Sequence, residues 1–407
     1  MRYAVNKFQK SIFILLLLAA TFSGFVADAA LSGGKTALYV AFDGLIIFLS
    51  LLSLNDLRGR LTWIVLFIIA CIGVNLSYSS TNLMYSLNGV REIMILISIV
   101  IFYNKVFSEE NEELAEDYIE IMKKFAVFFL IMQIPVAFWQ FHKYGPSDYV
   151  GGTFGNKGSG ILTLSVVSLV FFMSHFLRSH TQRVLLYFCL LPLLLNETKI
   201  SFILIPTLIL FIHFQPKVKN IIGAVIAAGL FLYIFNMYYS NQGLDFDNSM
   251  AGIFSKDFLD AYLFGDIYSS EDVPRFTKII VGWQLAAEQT RTLLFGIEYG
   301  IFKGGNVVEA SSFATSIQWL MSGTRPYLFF LILQGGILLI TGLFWMLFHI
   351  NKYFAKNNNK FKTFLFIIFL MILFYNDALR NQGFVTIYFF TVFYANSNLY
   401  NRNLLEA

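Results

Sequence analysis

Arg275, Arg291 and Arg325 fall in one polar stretch between long apolar runs, with Glu288 and Glu298 among them. Arginine stays charged and presents a planar fork that matches two phosphate oxygens at once. A carboxylate such as Glu288 or Glu298 could accept the proton of an attacking hydroxyl. The set suits chemistry at a diphosphate: when a sugar C1–O bond breaks, negative charge gathers on the leaving group, and fixed cations stabilise it without a metal. Arg275, Glu288 and Glu298 are therefore the candidate catalytic residues, and Lys199, Arg275, Arg291, Arg325 and Arg91 the candidate diphosphate holders. Lys199 ends the short turn Asn196-Glu197-Thr198-Lys199, which keeps its ammonium at the surface of two apolar runs. Arg91 and Glu92 open a further run, and Asp377 and Arg380 separate the last two. Taken singly such charges usually pair or snorkel; several facing one side form a functional hypothesis.

The elements that must position these groups are set by composition. Of 407 residues, 57% are hydrophobic and 13% charged, and the mean hydropathy is +0.66, outside the range of soluble domains. Nearly charge-free runs such as Ser11 to Val26, Phe125 to Phe141 and Tyr327 to Ile350 approach or reach the roughly 18–20 residues that a bilayer crossing needs. In hydrocarbon only internally hydrogen-bonded elements survive, so each is a candidate helix. Cys71 and Cys189 lie inside apolar runs without a close partner in sequence and read as small core hydrophobes, not as a disulfide or metal site. No cofactor is expected, and nothing points to nucleic acid, nucleotide, haem or metal binding.

Apolar runs set against polar breaks predict twelve segments: 11–30, 36–54, 61–77, 89–105, 124–141, 160–177, 184–196, 199–214, 220–238, 327–350, 363–375 and 384–397. The chain thus divides into transmembrane helices 1–9 over 1–238, a long outer loop over 239–326 and helices 10–12 over 327–407. With the N-terminus inside, most of the 29 basic residues gather on the cytoplasmic side, including Lys7, Lys10, Lys105, Lys123, Lys352, Lys356, Lys360 and Lys362. The even count returns the C-terminus to the cytoplasm. The outside keeps Lys35, Arg91, Lys143, Lys157, Lys199, Arg380 and the six basic residues of the long loop. Arg2, Lys7 and Lys10 ahead of a run ending in Ala27-Asp28-Ala29 also fit a cleavable leader, but the run is long enough to span.

Two polar interruptions are long. The first, Glu109 to Lys124, begins acidic and ends basic, which predicts a short cytoplasmic surface helix. In the second, Pro274 suits a helix start, and Arg275, Lys278 and Gly282 recur at helical spacing. This predicts an amphipathic helix lying on the membrane with its cations and a glycine gap on one face. Leu294-Phe295-Gly296-Ile297-Glu298-Tyr299-Gly300 follows as a glycine-bracketed turn that permits close backbone approach. No internal repeat relates the two halves.

In layout the chain resembles the O-antigen and exopolysaccharide polymerase (Wzy-type) branch of the O-antigen ligase and polymerase superfamily. The resemblance rests on Gly152-Thr153-Phe154-Gly155-Asn156 before the sixth segment and on Asn196-Glu197-Thr198-Lys199 with Ser201 after a short seventh. It also rests on the loop with Arg275 to Trp283 and then Leu294 to Gly300, and on Gln334-Gly335-Gly336-Ile337 in the helix that follows. It implies an all-α polytopic fold of the C-type glycosyltransferase kind and an inverting enzyme of lipopolysaccharide or exopolysaccharide biosynthesis. Such an enzyme joins undecaprenyl-diphosphate-linked repeat units on the outer face of the inner membrane. It implies a chain-length-regulating membrane protein as a partner, and Arg275 with Arg291 or Arg325 as the diphosphate arginines. Lys199 stands where the family often has arginine, which keeps a cation without the fork. The ligase branch carries a loop histidine that this loop lacks, which favours polymerase over ligase. A transporter or flippase of lipid-linked sugar is the alternative from another class; it would show related halves and charges near the midplane.

Overall fold

The computed structural model describes residues 2–30, 35–54, 57, 59–79, 83–145, 149–213, 273–301, 312–353 and 360–400, apart from positions 157, 178, 197, 322 and 324. The segment predicted over 220–238 and most of the loop over 239–326 lie outside the described residues. Within them every regular element is helical: α1 (Arg2–Ala30), α2 (Lys35–Leu51), α3 (Arg60–Tyr78), α4 (Leu83–Val106), α5 (Glu112–Tyr144), α6 (Ser159–Ser174), α7 (His180–Phe188), α8 (Leu191–Leu195), α9 (Lys199–His213), α10 (Arg275–Ala287), α11 (Thr290–Phe295), α12 (Ser312–Ser316), α13 (Tyr327–Tyr353), α14 (Lys360–Tyr375) and α15 (Gln382–Asn396). Short 3-10 turns, among them Gly152–Phe154 and Ala378–Arg380, join some of them.

Five described helices are long and apolar enough to cross a bilayer, over Lys7–Asp28, Arg60–Tyr78, Leu83–Val106, Glu112–Tyr144 and Tyr327–Asn351. Val40–Leu51, Ser159–Ser174, Thr181–Leu195 and Ile203–His213 are apolar but shorter. Every residue of α15 from Gln382 to Asn396 is buried, and so is nearly all of α6, so these two form the centre of the bundle. The peripheral helices instead expose Trp63, Leu66, Ile131, Leu185, Ile203 and Phe348. A water-soluble surface rarely carries so much apolar area, whereas lipid covers it without cost. The chain is a helical membrane protein.

Two boundaries differ from the sequence reading. The acidic stretch does not form a separate surface helix. It is the first part of the 33-residue α5, which continues without a break into the apolar span. No glycine or proline interrupts 112–134, and Glu120 pairs with Lys123 and Lys124 one turn on, so helix propensity carries the backbone through the polarity change. The segment predicted over 184–196 is two short helices, α7 and α8, with Pro192 in the first turn of the second.

The Gly152–Asn156 motif is a buried plug. Gln140 exchanges two hydrogen bonds with the Gly152 backbone, and Gln133 accepts from Thr153 N–H and donates to Thr153 Oγ1. Asp28 Oδ2 accepts from the Asn156 backbone at 2.7 Å, which fastens the end of α1 to the start of α6.

Candidate functional site

Charged groups from distant parts of the chain converge at one end of the bundle, where α4, α13 and α15 begin and α14 ends. Arg380, in the turn between α14 and α15, donates from Nε and an Nη to the two oxygens of Glu92 on α4, both at 2.7 Å. Its other Nη donates to Asp377 at 3.1 Å, and its guanidinium lies 3.9 Å from the Phe330 ring centre. Burial by itself would lower the Arg380 pKa; the Glu92 charge and hydrogen bonds, helped by Asp377, outweigh it and hold that pKa above its ordinary value. Both partners are nearly buried, so the pair stands only because its geometry is bidentate and its remaining donor is used.

Arg325, two residues before α13, lies 4.0 Å from Asp377 and 5.6 Å from the Phe330 ring, and its side chain keeps 35% exposure. Burial lowers its pKa, the Asp377 charge opposes that, and Arg380 adds to the lowering. Of the described arginines here it is the one whose fork is held least closely. Arg275, at the first position of α10, donates from Nε to the Tyr375 carbonyl at 3.2 Å and stacks 4.1 Å above the Tyr375 ring. Arg275, Arg325 and Arg380 are thereby arranged around the single turn Tyr375–Arg380. Asn376, in that turn and 8% exposed, has a buried Oδ1 with no hydrogen-bond partner among the described residues.

A second polar chain lies beside the first. Arg91 on α4 meets Asp43 on α2 at 3.2 Å, and Gln382 at the start of α15 donates to the other Asp43 oxygen at 2.7 Å. Arg91 thus belongs to a structural bridge that joins α2, α4 and α15. The Asn196 turn reaches the same end through α6, since Asn196 donates to the Ser159 carbonyl and to Thr163 Oγ1. A Cβ at Gly160 would overlap the Asn376 amide, which places the start of α6 next to the Tyr375–Arg380 turn. Lys199 is the first residue of α9, but its side chain lies outside the described residues.

The glycine-bracketed turn 294–300 has a different role. Gly336, at φ 62°, breaks α13 and frees carbonyls on its first half. The turn fills that break: Ile297 N–H donates to the Leu333 carbonyl at 2.6 Å, and Asn75 on α3 donates to both Phe295 and Gln334 carbonyls. Tyr78 donates to the Gly296 carbonyl, and Arg291 stacks 4.1 Å above the Tyr78 ring. Gly300 backs onto Gly89 and the Tyr85 carbonyl at the start of α4. The two glycine motifs of the sequence are thus halves of one seam.

The face of α10 carrying Arg275, Lys278 and Gly282 turns inward. Lys278 and Ala286 are fully buried, and Gly282 packs against Phe329 and Leu333 of α13. Ile280 and Trp283 project outward beside the exposed Gln284 and Ala287, so large apolar side chains lie on the outer face. Glu288 is exposed at the far end of α10, about 20 Å along the helix from Arg275. Glu298 is buried in the seam. Tyr327 stands between seam and charge cluster, within electrostatic range of Glu92, Arg380 and Asp377 on one side and Tyr299 on the other. The cluster therefore contains Arg275 and Arg325, whereas Arg91 and Arg291 lie in neighbouring bridges.

Sequence reasoning missed Asp43, Asn376 and the aromatic faces of Tyr375 and Phe330. Asp43 was detectable, being a carboxylate in the middle of an apolar run. Among the described residues no group of histidine, cysteine and carboxylate side chains could hold a metal, and Cys71 and Cys189 are both free thiols.

No protein-family model matches the chain, and no curated protein matches it.

Proposed function

We propose that the chain is an inverting glycosyltransferase that polymerises undecaprenyl-diphosphate-linked oligosaccharide repeats into O-antigen or exopolysaccharide. In this reading it spans a bacterial inner membrane twelve times with both termini cytoplasmic, and the charged end of the bundle faces outward. The observation that carries it is the convergence of Arg275, Arg325 and Arg380 on one turn at the membrane end, with Arg325 still a third exposed. Arginines placed for structure alone would be expected to close their forks, as Arg380 does on Glu92.

The donor diphosphate sits between Arg275 and Arg325, with its polyprenyl tail among the apolar helices below. An acceptor sugar hydroxyl attacks C1 of the donor sugar from the face opposite the diphosphate. The C1–O bond to the diphosphate breaks, the electron pair leaves with that oxygen, and configuration inverts. The growing negative charge meets two fixed cations in a poorly solvated setting, where they act strongly and need little reorganisation. The hydroxyl proton passes to a carboxylate. Of the two candidates Glu298 is better placed than Glu288, because the seam that holds it adjoins the cluster through Tyr327. Asn376 Oδ1 offers an acceptor for a sugar hydroxyl beside the same arginines.

The test is complementation of a polymerase-deficient strain. Arg275→Ala is expected to collapse long glycan chains to single-repeat products at normal protein level, Glu298→Gln to do nearly the same, and Glu288→Gln to leave long chains in place. Long chains retained with Arg275→Ala would remove the proposal. A strain that accumulates intact lipid-linked polymer without the protein would point to a ligase.

A further inference from the structure

The opposite, lysine-rich end of the bundle carries a second feature that the glycan chemistry does not use. Between the last turns of α13, the first turns of α14 and the last turns of α15 lies a cleft of about 130 Å³. Its walls are largely apolar, with Phe348, Phe366 and Tyr388 among them, and Phe348 and Phe366 are 66% and 49% exposed along its outer side. Three polar side chains line the same cleft: Lys362, Asn351 and Asn396.

Asn396 is 1% exposed. Its amide nitrogen is committed, donating to the Val392 carbonyl at 2.7 Å and to Asn351 Oδ1 at 3.2 Å. Its own Oδ1 is buried and has no hydrogen-bond partner among the described residues. Leaving a buried acceptor unsatisfied costs on the order of 1–3 kcal/mol, so a donor that arrives from outside is stabilised there. A lysine ammonium, an orphan acceptor and an apolar wall that opens toward lipid together describe an amphiphile with an anionic group, a hydrogen-bond donor and a hydrocarbon chain.

We propose that this cleft binds one anionic phospholipid with a hydroxyl-bearing headgroup. Its phosphate lies on Lys362, a headgroup hydroxyl donates to Asn396 Oδ1, and an acyl chain runs outward over Phe366 and Phe348. The charge of the site agrees: Lys360 and Lys362 both lie in the first turn of α14, and basic groups at a membrane surface attract anionic lipid. The lysine supplies a point charge on a flexible stem, which suits a phosphate presented at the membrane surface.

The experiment is native mass spectrometry of the full chain, delipidated in detergent and titrated in parallel with dioleoyl phosphatidylglycerol, dioleoyl phosphatidylcholine and inorganic phosphate. One phosphatidylglycerol should be retained about tenfold more tightly than phosphatidylcholine, which has the phosphate but no donor, and inorganic phosphate should not compete. Lys362→Gln should weaken phosphatidylglycerol about tenfold, which corresponds to about 1.4 kcal/mol. Phe366→Trp, at an exposed position that narrows the cleft without touching a polar group, should weaken both lipids. The fold of each variant is checked by its unfolding midpoint in lipid-free detergent. Equal retention of the two lipids would reduce the cleft to a greasy crevice and overturn the proposal. So would phosphatidylglycerol binding that survives both variants, or displacement of the lipid by inorganic phosphate.

Discussion

The charge cluster around the Tyr375–Arg380 turn and the glycine seam around Gly296, Gly300 and Gly336 meet at Tyr327, yet they handle buried polarity in opposite ways. In the seam the needs of the backbone are met by backbone or by an amide side chain: the carbonyls released where α13 breaks are taken up by Ile297 N–H and Asn75. Asn75 Oδ1 and Gln334 Nε2, which have no hydrogen-bond partner there among the described residues, belong to neutral amides. In the cluster the needs are met by charged side chains that belong to separate helices, and the closure is incomplete, since Arg325 is held only at 4.0 Å and Asn376 Oδ1 is unmet among the described residues. A closed network of backbone bonds fixes shape. An incompletely closed network of charges stores binding capacity.

The comparison breaks most visibly in the seam. Gly300 has φ 73°, and a Cβ there would overlap the Tyr85 carbonyl oxygen, which is backbone of α4 and cannot move aside. Gly300→Ala is therefore expected to cost more than about 4 kcal/mol, in the range reserved for severe core lesions. Unfolding in detergent should show it as loss of most folded protein, and near-wild-type stability would mean that the seam is not tightly closed.

In the cluster the largest stability effect should come from Arg380→Ala, which strands Glu92 at 8% exposure and is expected to cost about 3–5 kcal/mol. The double variant Glu92→Gln with Arg380→Met should recover much of that loss, because no uncompensated charge remains. A double variant no better than the single one would show that the pair acts through packing on Phe330 and not through charge. Asn75→Leu ranks next. It removes the donor shared by the Phe295 and Gln334 carbonyls while keeping the volume roughly constant, and should cost about 1–3 kcal/mol by the same unfolding measurement.

These ranks also show what a sequence can disclose. Pro274 announced the start of α10, and the spacing of Arg275, Lys278 and Gly282 announced the face they share, because both follow from local helix geometry. The glycines of the seam were visible one by one, but their pairing was not: Gly296 meets Gln334 and Gly335, and Gly300 meets Gly89, across breaks that no periodicity records. The Glu92 and Arg380 pair spans 288 positions, and nothing in either residue's neighbourhood names the other. The spacing left the direction of the α10 cations open for a related reason. Amphipathicity states that two faces differ, and only the neighbouring helix decides which one turns inward. The α5 boundary was misplaced because hydropathy marks a change of solvent, and a helix can pass through such a change when its residues favour the helix throughout.

The last variant sharpens the comparison by separating stability from function. Arg325 is partly exposed, its one ion pair among the described residues is long, and its guanidinium lies 5.6 Å from the Phe330 ring centre. Solvent screening and the freedom of its side chain leave such a pair little net stabilising effect, so Arg325→Ala should change stability by under about 1 kcal/mol. If its fork is open in order to hold a diphosphate, the same substitution should abolish long glycan chains in complementation, and Arg325→Lys should restore them only in part because the ammonium keeps the charge without bidentate geometry. Arg291→Ala is the matched control from the seam: it also removes an arginine stacked on an aromatic ring, and it should leave chain length near normal. Equal loss of long chains in both variants would erase the functional distinction between the two regions, whereas loss confined to Arg325 would tie the open end of the charge network to substrate.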